Sequence, residues 1–159
     1  MGDNMNIHEF MNHIPEFLQQ AFDVGDHLSQ GKTELTVSLE GIEKMDPIVD
    51  YLHNLWKKQL IDDTVAWNVS VSLGVLLGEI IIKEHGFHWA IIDGIPVVET
   101  DEGNRLSPIT KIYKIVTDED DTEGSPSGFY SGFKVLQQYS EMSEEEKKKI
   151  TVYINNQEE

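Results

Sequence analysis

Apolar residues recur at helical spacing through the first stretch of the chain: Ile7, Phe10, Met11, Ile14, Phe17, Leu18, Ala21 and Phe22. The pattern predicts an N-terminal helical segment within residues 1–30, able to dock loosely on the rest. Pro15 marks a kink in it or a junction between two helices. Gly25 and Ser29-Gln30-Gly31 predict the loop that follows. Beyond it, Leu35, Val37 and Leu39 alternate as in a strand, while Leu39, Ile42, Met45, Val49, Leu52 and Trp56 keep helical spacing. A short strand over Glu34 to Leu39 feeding a helix to about Lys58 accommodates both, with Ser38 as N-cap and a break or restart at Asp46-Pro47.

From Asp63 to His85 the chain is apolar nearly all round a helical projection, with Asn68, Ser72, Glu79 and Lys83 in a narrow polar wedge. A helix of that kind is packed on most sides. Gly74 and Gly78 lie on one face and predict close approach of another element, since each costs about 1 kcal/mol of helix propensity. Gly128 and Gly132 repeat the device further on, which makes the later helix a candidate partner. Between the two helices, Phe87 to Ile92 and Ile95 to Glu99 flank Asp93-Gly94, a strong hairpin signal. Gly103-Asn104 predicts a second turn with a short third strand at Arg105 and Leu106. Ser107-Pro108 and Ser125-Pro126 each open a helix. Ser143 and Glu146 form a capping box before Lys147, Lys148 and Lys149, and Ile150, Val152 and Ile154 alternate as in a last strand. The expected fold is α+β: a small antiparallel sheet around the Asp93-Gly94 hairpin, packed against several helices. One globular domain spanning 1–159 is expected, since a chain this long buries about 70% of its unfolded surface.

Composition narrows the functional classes. The chain has no cysteine, so disulfides, thiolate nucleophiles, iron–sulfur clusters and cysteine zinc sites are excluded. Twenty-nine acidic residues face twelve basic ones, a formal net charge of −17. Nucleic acid and anionic membranes would repel that surface, whereas a basic protein partner would be attracted. Met1 to Asn12 lacks the charged-then-apolar pattern of a secretory signal, and polar and glycine residues interrupt Val71 to Ile82, so a cytoplasmic location is expected.

The segment Leu73-Gly74-Val75-Leu76-Leu77-Gly78-Glu79, then His85-Gly86-Phe87-His88-Trp89, then Pro96 and Ser107-Pro108-Ile109, resembles a group of small uncharacterised bacterial domains. The resemblance covers roughly Trp67 to Val116. It implies a Leu-Gly-x-x-Leu-Gly-Glu helix, a tryptophan-bearing strand and a proline-started helix. It implies no activity and no functional residues.

Candidate chemistry is sparse. His8-Glu9 and His13 miss the zincin spacing, because the second imidazole falls one residue too late. His85 and His88 flank a glycine turn and are candidate metal ligands that lack a fixed third donor. Glu79, on an apolar helix, and the neighbouring His88 and Trp89 are candidates for a ligand pocket, although Lys83 stands at helix ion-pair spacing from Glu79. The run Asp118, Glu119, Asp120 and Asp121 fails the EF-hand pattern at Glu123 and Phe129, and is a candidate partner-binding loop. No phosphate-binding loop, dinucleotide fingerprint or nucleophile elbow occurs, so no cofactor is expected. The leading expectation is a non-catalytic interaction domain of immunity-protein or regulator type whose partner is a basic protein. The alternative is a small-molecule binder or enzyme built on Glu79, His88 and Trp89.

Overall fold

The computed structural model describes residues 6–149. Five helices and a small sheet follow one another in the order α1 (Ile7–Leu28), α2 (Leu39–Lys57), α3 (Asp63–His85), β1 (His88–Ile92), β2 (Ile95–Glu99), β3 (Arg105–Leu106), α4 (Pro108–Val116) and α5 (Pro126–Ser140). Residues 144–149 add a further helical stretch. The fold is α+β, as the sequence predicts. The chain divides into two compact units, Met1–Ser127 and Gly128–Glu159.

In the first unit α3 is the core. Its ends are set locally: Asp62 Oδ1 accepts the Val65 N–H at 2.9 Å, and Gly86 at φ 74° turns the chain out of the helix. Leu73, Val75, Leu76, Leu77, Ile80 and Ile81 are fully buried, because α1, α2 and α4 pack around the helix. It is long and apolar enough to cross a membrane, yet 61% of that apolar window is buried inside the fold. Its glycines admit two neighbours. A Cβ on Gly74 would lie 2.5 Å from Ile109 Cα of α4, and one on Gly78 would lie 2.3 Å from the Trp89 indole. Both glycine faces of α3 are therefore filled from within the first unit, by Ile109 and Trp89. A Cβ on Gly132 would meet nothing within 4 Å.

The sheet has the order β1-β2-β3, both pairings antiparallel. Asp93 and Gly94 take φ values of 52° and 80°, the left-handed pair a two-residue hairpin needs. Trp89, paired with Val98, turns inward and packs edge-on against Phe10 of α1 at 4.9 Å between ring centroids.

Four local expectations are corrected. One helix runs through Pro15, so no second helix starts there. Gly25 lies inside α1, where its bare backbone accepts the Leu35 side chain, and the loop begins only after Leu28. Residues 34–38 form no strand, because no strand among the described residues pairs with them; of these five, Leu35 alone is buried. α2 runs unbroken through Asp46-Pro47, and Ser38 holds its N-cap position without a side-chain cap bond, its Oγ lying 2.7 Å from Thr36 Oγ1.

In the second unit, most of α5 is exposed, including Val135 and Leu136. Ser143 Oγ accepts the Glu146 N–H at 3.2 Å and donates to Glu146 Oε1 at 3.1 Å, much as the capping box predicts. The expected strand at Ile150, Val152 and Ile154 lies outside the described residues.

Candidate functional site: an acidic cleft

Between α2, the end of α4 and the loop leading into α5 lies a cleft of about 510 Å³. Helical spacing on α2 brings Asp46, Asp50 and His53 to it, and the loop adds Asp118, Asp121 and Ser125. Each carboxylate is held differently. Asp46 reaches the start of α5, where Oδ1 accepts the Ser127 N–H at 2.9 Å and Oδ2 accepts the Ser127 hydroxyl. That contact caps the helix from outside. Asp118 folds its own loop, accepting the Asp120 N–H at 3.0 Å and the Glu123 N–H at 2.8 Å. These donors, Glu123 first, hold its carboxyl below the usual carboxylate range. Lys111 of α4 donates to Glu123 at 2.8 Å and ties the far end of the loop down.

His53 is the buried polar group of the site, with 8% of its surface exposed. Nδ1 lies 3.0 Å from the Val116 carbonyl oxygen and Nε2 lies 2.6 Å from Asp121 Oδ1. Lys57, one turn along α2, donates to Asp121 Oδ2 at 3.1 Å. Burial pulls the imidazole toward neutrality. The Val116 carbonyl and the Asp121 carboxylate outweigh it and raise the His53 pKa above its ordinary value. The hydrogen bond from His53, then that from Lys57, holds Asp121 below the usual range. Asp121 sits at φ 57°, a conformation that side-chain-bearing residues rarely adopt.

The arrangement bears directly on chemistry. A histidine acting as general base must offer a free ring nitrogen to a nucleophile. Both nitrogens of His53 face acceptors, and the Ser127 hydroxyl donates to Asp46. The serine, histidine and aspartates near one another therefore do not form a nucleophilic triad.

The other sequence candidates are dispersed. Trp89 is core, and its Nε1 donates to Glu79 Oε2 at 2.9 Å. Lys83 does not pair with Glu79 but donates to the Val37 carbonyl at 3.0 Å. His88 lies on the opposite, exposed face of β1, 3.6 Å from Glu99 and 3.7 Å from Asp101. Glu79 and Trp89 thus meet, while His88 points away from them. His85 ends α3, and among the described residues no group of three or more His, Asp or Glu is placed to hold a metal ion. Of the acidic run, Asp118 and Asp121 line the cleft, Asp120 is exposed, and Glu119 borders a separate cleft beside Trp56 and Asp63. The Tyr113 hydroxyl donates to Asp63 there, and that bond raises the phenol pKa. Sequence reasoning missed His53 altogether. Its only signal was a histidine on the apolar face of a helix, three to four residues from Val49, Trp56 and Lys57.

No family model, curated protein or solved structure matches the chain.

Proposed function

We propose that the protein is a non-catalytic, cytoplasmic binding module that receives a basic segment of a partner protein in the acidic cleft, in the manner of an immunity protein or regulator. The observation that carries this reading is the convergence of Asp46, Asp50, Asp118 and Asp121 on one concavity whose histidine has both ring nitrogens engaged. A guanidinium or ammonium entering it meets three carboxylates, Asp46, Asp118 and Asp121, already fixed by backbone and side-chain donors, so little ordering of these remains to be done on binding. The net charge of −17 extends the attraction beyond the cleft and speeds encounter with a cationic partner.

The test separates the cleft from charge in general. Asp50 is exposed and lines the cleft, whereas Glu102 is exposed in the turn between β2 and β3. Asp50→Lys and Glu102→Lys change the net charge equally. Binding of a fluorescent arginine-rich peptide is expected to weaken about tenfold or more in Asp50→Lys and only slightly in Glu102→Lys. In the unmodified protein it should weaken steadily with added salt. Equal losses in the two variants would reduce the effect to non-specific charge and remove the cleft from the proposal.

A further inference from the structure

We propose that His53 and Asp121 form a pH-sensitive latch, in which a protonated imidazole ring fastens the acidic loop to α2 and to the end of α4. This inference concerns the loop itself and holds whether or not the cleft binds a basic partner.

The geometry sets the requirement. Val116 O and Asp121 Oδ1 are both acceptors, 3.0 Å and 2.6 Å from the two ring nitrogens. An imidazolium carries an N–H on each nitrogen and satisfies both. A neutral ring carries one. On losing its proton, His53 must present a lone pair either to the Val116 carbonyl or to the Asp121 carboxylate. Val116 is fully buried and ends a packed helix, so its carbonyl cannot move to find another donor. Asp121 can move: it is exposed, and its backbone occupies the left-handed region that non-glycine residues avoid. The neutral ring therefore keeps its bond to Val116 and releases Asp121, whose backbone relaxes out of φ 57°.

The other charged groups confine the motion. On α2, Lys57 holds the second Asp121 oxygen, and Asp46 and Asp50 share the cleft with the ring. From the loop, Asp118 remains locked to the Asp120 and Glu123 amides, and Glu123 remains paired with Lys111 of α4. The end of the loop contributes Ser125 and the start of α5 Pro126, neither of which titrates in this range. Release is thus local to residues 119–122, a shift of a few residues between two firm anchors. The raised His53 pKa and the lowered Asp121 pKa place the latched state in mildly acidic solution.

The test uses the full chain and two-dimensional NMR. The His53 ring nitrogens and the backbone amides are followed together from acidic to alkaline pH. The expected midpoint for His53 lies above 6.5, its ordinary value. The amides of Glu119 to Thr122 should shift with the same midpoint, while those of the Asp93-Gly94 turn stay put. Asp121→Asn keeps a residue that tolerates the left-handed conformation and leaves the buried ring in place, so the fold is retained. In that variant the His53 midpoint should fall, and the loop amides should lose their response to it. A His53 midpoint at or below 6.5 in the unmodified protein would overturn the latch. So would loop amides that ignore the His53 titration, or an Asp121→Asn midpoint equal to that of the unmodified chain.

Discussion

At Gly74 and Gly78 a single methyl group decides the packing of the core. One neighbour is the Ile109 backbone and the other a tryptophan ring wedged against Phe10, so neither obstacle can step aside. Replacing glycine by alanine in a helix is worth about 1 kcal/mol of stabilisation, but overpacking costs about 1–3 kcal/mol. The close approach wins. Gly74→Ala and Gly78→Ala should each lower stability, by up to about 2 kcal/mol in urea unfolding. Gly132→Ala should add up to about 1 kcal/mol of helix stability, because open space surrounds that position. A Gly74→Ala variant more stable than the unmodified protein would contradict the Ile109 contact. The sequence made the need for a close neighbour legible at this scale, but not the neighbour. Ile109 lies 35 positions from Gly74 by numbering, and apolar residues elsewhere offered the same surface. His53 shows the same limit more sharply: its partner Asp121 is 68 residues away, and nothing local in either sequence context announces the pair.

Elements whose ends are written in adjacent residues were legible. Asp62 and Gly86 bound α3, Asp93-Gly94 makes the hairpin, and Pro108 starts α4, all through bonds or dihedral preferences within a few residues. A strand is different, because it exists only where a second strand pairs with it. The alternation Leu35, Val37, Leu39 met no such partner among the described residues, and the segment became an irregular lead into α2. Prolines misled for the opposite reason. Pro15 is exposed in a helix whose other face buries Phe10, Ile14 and Ala21, and that burial outweighs one missing backbone bond. Pro15→Ala restores an N–H that can reach the Met11 carbonyl. The penalty for proline inside a helix is about 3 kcal/mol, and the flexibility gained by the unfolded chain offsets about 1 kcal/mol of it. The variant should therefore be more stable by about 1–2 kcal/mol, measured by thermal or urea unfolding followed by circular dichroism. A loss of stability would mean that the ring itself fills space on α1 that a methyl group leaves empty.

Over the whole molecule, repulsion among 29 acidic residues opposes a fold whose specific charge pairs favour it. The two respond differently to solution conditions. General repulsion between exposed carboxylates is screened by salt, so the melting temperature should rise from low salt to about 0.5 M. The His53–Asp121 contact involves a buried ring and is screened less. Its pH dependence follows from the directions of the two shifts. The His53 pKa is raised on folding, so its contribution is complete below 6.5 and is lost as pH rises through the folded value. The Asp121 and Asp118 values are lowered on folding, so their contributions are complete above 3.8 and are lost as pH falls through the folded values. All three are present in full only between 3.8 and 6.5. The protein should therefore melt at a higher temperature at about pH 6 than at about pH 8, and part of that difference should survive in about 0.5 M salt. Asp121→Asn should shrink the difference at both salt concentrations, because it removes the group that raises the His53 value. A difference that vanished in salt and ignored the substitution would belong to surface repulsion alone. Persistence in salt, together with loss in the variant, would assign it to the one histidine that ties α2 to the acidic loop.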